Sequence, residues 1–267
     1  MIRHIVPLFA LGLCLASPAL ASSSDIVETE GGTIRLVTSG IAGPDGRIRG
    51  ALEIGLKPGW KTYWRDPGAS GVPPQIDIGQ SVNVESAEIR YPAPQWHDEG
   101  YGAWAGYDKS LALPITFTAS EPDRFSLIEA DVFLGICETI CIPVRARLTV
   151  EPGKSPDNKG DEVVVAAAHA AVPPQAGPEF GISSVDLRDG TLTIAAVVPA
   201  EEEDMALFVA GSQGYGFGVP KLTSVVDGEA RFQVPLTTRS ETPNAPAAID
   251  YTLRAGGHSV TGTFEIP

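Results

Sequence analysis

From Arg47 to Leu56 the apolar residues Ile48, Leu52, Ile54 and Leu56 occupy even positions, and Arg47, Arg49 and Glu53 fall between them. A period of two is what a strand with one buried face requires, because successive side chains leave a strand on opposite sides. The rhythm returns in Leu111, Leu113, Ile115 and Phe117, and again in Val144, Ala146, Leu148 and Val150 with Arg145, Arg147 and Thr149 between them. Ile34–Thr38 and Phe125–Leu134 are further strand candidates. Turn formers punctuate the series: Gly43-Pro44-Asp45-Gly46, Lys57-Pro58-Gly59, Asp66-Pro67-Gly68 and Glu121-Pro122-Asp123. Gly and Pro supply 52 of the 267 residues, high for a helical bundle and normal for a turn-rich β protein. Short strands at this spacing predict a β-sandwich over residues 25–152.

A break follows at Pro152–Gly160. Asp161–Val172 is the one good helix candidate, with Asp161 near its N-cap and Pro173-Pro174 as its stop. This helix and the Pro-rich residues after it read as a connector over residues 153–178. Residues 179–267 are strand-like again, with candidates at Ile182–Leu187, Thr191–Val198, Met205–Ala210, Arg231–Leu236, Ile249–Ala255 and Ser259–Ile266. Asp189-Gly190, Asp227-Gly228 and Gly256-Gly257 carry the chemistry of hairpin turns. The expected fold is all-β: two sandwiches joined by a short helical, Pro-rich connector.

Residues 1–21 read as a secretory signal. Arg3 and His4 precede an apolar run from Ile5 to about Ala16, and Ala19-Leu20-Ala21 fits a cleavage site. No other segment is long and apolar enough to suggest a membrane span. The chain is therefore expected to act outside the cytoplasm, in a periplasm-like compartment where disulfides persist. Its formal net charge of −14 argues against nucleic acid and against anionic lipid as partners.

Once Cys14 leaves with the signal, two cysteines remain, Cys137 and Cys141. They flank three residues between two strand candidates, so they sit at or beside a hairpin, where Cα atoms come within the ~7 Å a disulfide needs. Three readings are open. A structural staple closing so short a loop contributes only about 2 kcal/mol. A redox-active pair is favoured by the ease with which strained short-loop disulfides are reduced. A two-thiolate copper site with His97 is the third, although C-x3-C is no standard zinc spacing. No Lys or His adjoins the pair in sequence to depress a thiol pKa. Elsewhere, Trp60–Gly68 concentrates aromatics before a turn, and Tyr91–Tyr107 reads as a long aromatic loop of the kind that often carries function. Adjacent carboxylates at Asp98 and Glu99 are most often solvated, and no Ser/His/Asp triad, phosphate loop or H-E-x-x-H motif is present.

Taken in order, Trp60, Tyr63 and Trp64, then His97-Asp98-Glu99-Gly100-Tyr101-Gly102, then Tyr107-Asp108-Lys109 leading into Leu111-Ala112-Leu113-Pro114-Ile115, then the cysteine pair followed by Pro143, resemble the N-terminal periplasmic domain of DsbD. DsbD is the bacterial thiol:disulfide interchange protein. The variant resembled is the one in ScsB, whose soluble region is similar to two immunoglobulin-like domains. At motif level the likeness covers roughly residues 30–150. It implies a cofactor-free thiol:disulfide oxidoreductase that takes electrons from a membrane-embedded thiol reductase and passes them to thioredoxin-like or isomerase partners. Carried over, Cys137 and Cys141 match the redox pair, Asp98 to Gly102 match a shielding cap loop, and Tyr63 and Trp64 match rings beside the pair. Two departures stand out. This chain has three residues between its cysteines where the better-known pattern has five. Gly100 stands where the family has a cap phenylalanine, which leaves shielding to Tyr101 or Trp104. The membrane reductase and the thioredoxin-like domain would be separate proteins.

Overall fold

The computed structural model describes residues 22–68, 71–98, 100, 102–199, 204–211, 214–239 and 248–266. The expected signal segment, Glu99 and Tyr101 lie outside these described residues.

The N-terminal half contains β1 (Val27–Glu28), β2 (Gly32–Thr38), β3 (Arg47–Leu56), β4 (Lys61–Tyr63), β5 (Gln75–Asp77), β6 (Val84–Ile89), β7 (Gln95–Asp98), β8 (Ala103–Tyr107), β9 (Leu111–Ala119), β10 (Ile128–Cys137) and β11 (Cys141–Val150). One sheet has the order β1-β2-β3-β9-β6. The other has the order β11-β10-β4-β8-β7, with β5 added beside β10. The alternating apolar residues face inward from both: Ile48, Leu52 and Ile54 meet Leu113, Ile115 and Phe117 from the first sheet and Leu134, Ile136, Ala146 and Leu148 from the second. At ~25 cal/mol per Å2 of apolar surface removed from water, this shared core is the main driving force for the sandwich. The span read from sequence as a long aromatic loop is for the most part the β7–β8 hairpin, whose connection is reduced to a few residues after Asp98.

Helix α1 (Lys159–Ala170) starts and ends two residues earlier than the sequence suggested. Asn158 is its cap, accepting from the backbone N–H groups of Gly160 and Asp161. Asp161 is instead buried, and accepts hydrogen bonds from Ser22 Oγ (2.5 Å) and Asn158 Nδ2 (2.8 Å). Val165 and Ala168 pack on Val37 and Ala51, the outward-facing side of β2 and β3, so the helix covers a sheet rather than merely linking two halves.

The C-terminal half contains β12 (Gly181–Arg188), β13 (Thr191–Val197), β14 (Met205–Ala210), β15 (Gly216–Phe217), β16 (Lys221–Val226), β17 (Glu229–Thr238), β18 (Ala248–Ala255) and β19 (His258–Glu265). They form a sheet β12-β13-β17-β15, with β16 also on β17, and a sheet β14-β18-β19. Asp189-Gly190 and Asp227-Gly228 have positive φ at both positions, as the predicted two-residue hairpins demand. The molecule is thus two β-sandwiches. Among the described residues no helix is long and apolar enough to cross a membrane.

Candidate functional site

The β10–β11 hairpin runs in unbroken register from Ile128↔Val150 to Cys137↔Cys141. The cysteines are therefore the last facing pair before the turn, and a disulfide joins them with Cα atoms 4.1 Å apart. Their surroundings differ. Cys137 is 1% exposed, whereas Cys141 is exposed, as is Ile140 at 72% on the hairpin tip.

The register carries this chemistry across the sheet. Cys137 faces Lys61, Tyr63 faces Gly106, and Trp104 faces His97. Facing residues project from the same side of a sheet. Cys141, Cys137, Lys61, Tyr63, Trp104 and His97 thus form one row over five strands, on the side opposite the core. Tyr63 Oη lies 3.0 Å from Cys137 Sγ and 2.8 Å from Cys141 Sγ. Trp104 packs edge-on to Tyr63 at 5.5 Å and stacks on His97 at 4.1 Å. Lys61 Nζ lies 4.9 Å from the centre of the Trp104 ring, within cation–π range. The Trp104 indole N–H is buried without an acceptor, so packing against these neighbours is what orients the ring.

Residues 66–68 and 71–74 form a strap beside Tyr63. Ala105 N–H donates to Pro67 O and Gly135 N–H donates to Val72 O, pinning the strap at both ends. A Cβ on Gly71 would come within 2.9 Å of the Tyr63 ring, and one on Gly135 within 2.9 Å of Val72. Glycine at these positions lets the strap lie flat against Tyr63 and β10. On the core side, burial pushes the Tyr91 hydroxyl up to about 12, with Arg65 partly opposing, and drives Tyr107 well above its ordinary range. Both stay protonated and donate to backbone carbonyls, Tyr91 to Pro74 and Tyr107 to Pro92.

Of the residues expected at the site, Cys137, Cys141, Tyr63 and Trp104 come together. Trp64 does not: it is 1% exposed in the core, because the residue after Tyr63 points to the other face. Asp98 ends β7 and accepts from Gly100 N–H at 3.0 Å, turning the chain toward β8. A Cβ on Gly100 or Gly102 would meet nothing within 4 Å, and both have positive φ. Sequence reading passed over Lys61 and treated His97 only as a metal ligand. The missed signal was parity: Lys61 and Tyr63 share a face, and so do His97 and Trp104 once the hairpin is recognised. His97 is three strand spacings from Cys137, about 14 Å of backbone separation. Among the described residues no three His, Cys, Asp or Glu side chains gather as a metal site.

The fold and the site together define a two-sandwich protein that carries a disulfide at the end of a hairpin, beneath an aromatic row. Residues 36–152 match the family described as "Thiol:disulfide interchange protein DsbD, N-terminal". The whole fold is similar to the crystal structure of the N-terminal periplasmic domain of ScsB from Proteus mirabilis. The TM-score is 0.74 at 23% identity, over 92% of this chain and 98% of that one. No curated protein matches the chain in sequence.

Proposed function

We propose that the chain is a thiol–disulfide exchange protein working in the periplasm, relaying electron pairs from a membrane-embedded thiol reductase to thioredoxin-like or isomerase partners through Cys137 and Cys141. The match of residues 36–152 to the DsbD N-terminal family supports the reaction class, and the periplasmic setting of the ScsB domain supports the compartment. The observation that carries the reading is the asymmetry of the pair: one sulfur belongs to an exposed residue and the other to a buried one, and one hydroxyl touches both.

The asymmetry supports the following division of roles. A donor thiolate attacks Cys141 Sγ in line with the Sγ–Sγ bond. That bond breaks, a mixed disulfide forms on Cys141, and Cys137 leaves as a thiolate that accepts a hydrogen bond from Tyr63 Oη–H. The donor's second thiol attacks the mixed disulfide from its own side and releases Cys141. The donor is then a disulfide, and the pair here has gained two electrons and, with protons from solvent, two thiols. The reverse sequence delivers the electrons to an acceptor disulfide. A hydrogen bond to a charged sulfur is worth more than one to a neutral sulfur, so Tyr63 favours the state in which Cys137 has left. Trp104 packs with Tyr63 over Cys137 and shields the buried sulfur from stray thiols, and Ile140 offers an apolar tip beside Cys141 for a partner surface to cover.

Equilibration of the full chain with glutathione buffers tests the reading. The pair should come to equilibrium at a potential near those of known exchange proteins. A bridge that stays closed below about −300 mV is a structural staple and ends the reading.

A further inference from the structure

The two sandwiches meet directly behind the sulfur row. Phe208 on β14 is fully buried, and it belongs to the N-terminal core rather than to its own. It stacks on Trp96 at 5.2 Å and packs edge-on to Trp64 at 5.9 Å. Trp96 Nε1–H also donates to Leu207 O at 3.1 Å. Each tryptophan adjoins a residue of the row in sequence, Trp64 after Tyr63 and Trp96 before His97, and projects from the opposite face. A second set of bonds follows. Arg65 pairs with Asp250 at 2.5 Å, and Gly211 N–H donates to the Asp66 carboxylate at 2.6 Å. Asp66 begins the strap beside Tyr63. The C-terminal sandwich therefore grips the strand that presents Tyr63, the strand that presents His97, and the root of the strap, all from behind.

We propose that Phe208 is a positioning residue for the disulfide, and that the C-terminal sandwich is a brace that holds Tyr63 and Trp104 against the sulfurs. The inference rests on the exchange reading above. The physical link is short. The Tyr63 hydroxyl serves both sulfurs only while its strand is fixed to within a few tenths of an ångström. β4 is a three-residue strand with two paired residues on each side, too short to be held by its ladder alone. Trp64, wedged against Phe208, supplies the missing fixity. Without the wedge the hydroxyl no longer favours the Cys137 thiolate, so the pair becomes harder to reduce and slower to open.

The test uses the full chain with Phe208→Ala, Phe208→Leu and, as a control in the core of the C-terminal sandwich, Phe232→Leu. Folding is checked by near-ultraviolet circular dichroism. The disulfide is equilibrated with dithiothreitol buffers, and its rate of opening by dithiothreitol is followed. For Phe208→Ala the expected result is a fall of about threefold or more in both the reduction equilibrium constant and the rate. Phe208→Leu should recover most of it, and Phe232→Leu should match the parent. A folded Phe208→Ala protein with both values unchanged overturns the proposal. If that variant fails to fold, Asp250→Ala reads the same interface from the surface: a shift in the same direction supports the brace, and no shift overturns it. The potential of the unaltered chain judges the exchange reading, whereas the difference between variant and parent judges the brace, so the two can fail separately.

Discussion

At the scale of single residues the decisive contrast is between two sulfurs four positions apart. Cys137 ends β10 on the face opposite the core and is covered there by Tyr63 and Trp104, while Cys141 opens β11 in solvent. Removing the resolving sulfur should therefore trap partners on the other. Cys137→Ser should accumulate mixed disulfides through Cys141 in an extract of the periplasm, and Cys141→Ser should not, as read by non-reducing electrophoresis. The reverse pattern would sink the assignment of roles. Tyr63→Phe keeps the ring against Trp104 and removes only the hydroxyl. A hydrogen bond to a charged group contributes about 1.5–3 kcal/mol, so opening by dithiothreitol should slow roughly tenfold or more with little change in fold. An unchanged rate would remove Tyr63 from the mechanism. The identity of both cysteines was plain from the sequence, because a pair so close in the chain needs no tertiary contact to meet. Tyr63 was also legible. Trp64 was misplaced because the resemblance carried it to the pair together with Tyr63, whereas adjacent residues of a strand take opposite faces.

At the scale of elements, short-range rules worked where one strand or turn decides its own shape. Alternation located β3, β9 and β11, and the Asp-Gly pairs located two hairpins of the C-terminal sandwich. The same rules missed β4 and β5, which are three residues each and have no room to show a period. They also missed the β7–β8 hairpin, whose Gly and Pro content mimics a loop. Helix α1 offers a pH test of its docking. His169 Nε2 lies 3.2 Å from Gly50 O, and burial, with Arg49 and Arg90 adding to it, lowers the His169 pKa below its usual value against the raising effect of the Gly50 and Ile115 backbone. The unfolded chain then binds the proton more readily than the folded one. The stability this residue contributes is present above pH ~6.5 and is lost as the pH falls through the lower folded value. Thermal midpoints between pH 7.5 and 5.5 should drop more for the parent chain than for His169→Gln. Equal drops would show that the helix dock is indifferent to this proton.

At the scale of the whole molecule, the two sandwiches share a core through Phe208 and Ala210, so neither should unfold alone. Calorimetry of the full chain should show a single transition, and Phe208→Ala, which empties a fully buried aromatic site at a cost of about 3–5 kcal/mol, should separate it into two. Two transitions in the parent chain would deny the coupling. None of this was visible beforehand: the C-terminal residues were read as a sandwich without chemistry, and their sequence contains nothing to say otherwise. Strand character, turn positions and the meeting of Cys137 with Cys141 follow from residues within about ten positions of one another, where backbone sterics and side-chain parity act directly. The row from Cys141 to His97, and the wedge behind it, depend on which strands lie side by side. That choice is made by burial summed over the entire core, and it joins Trp96 to Leu207 across 111 residues that no local pattern spans.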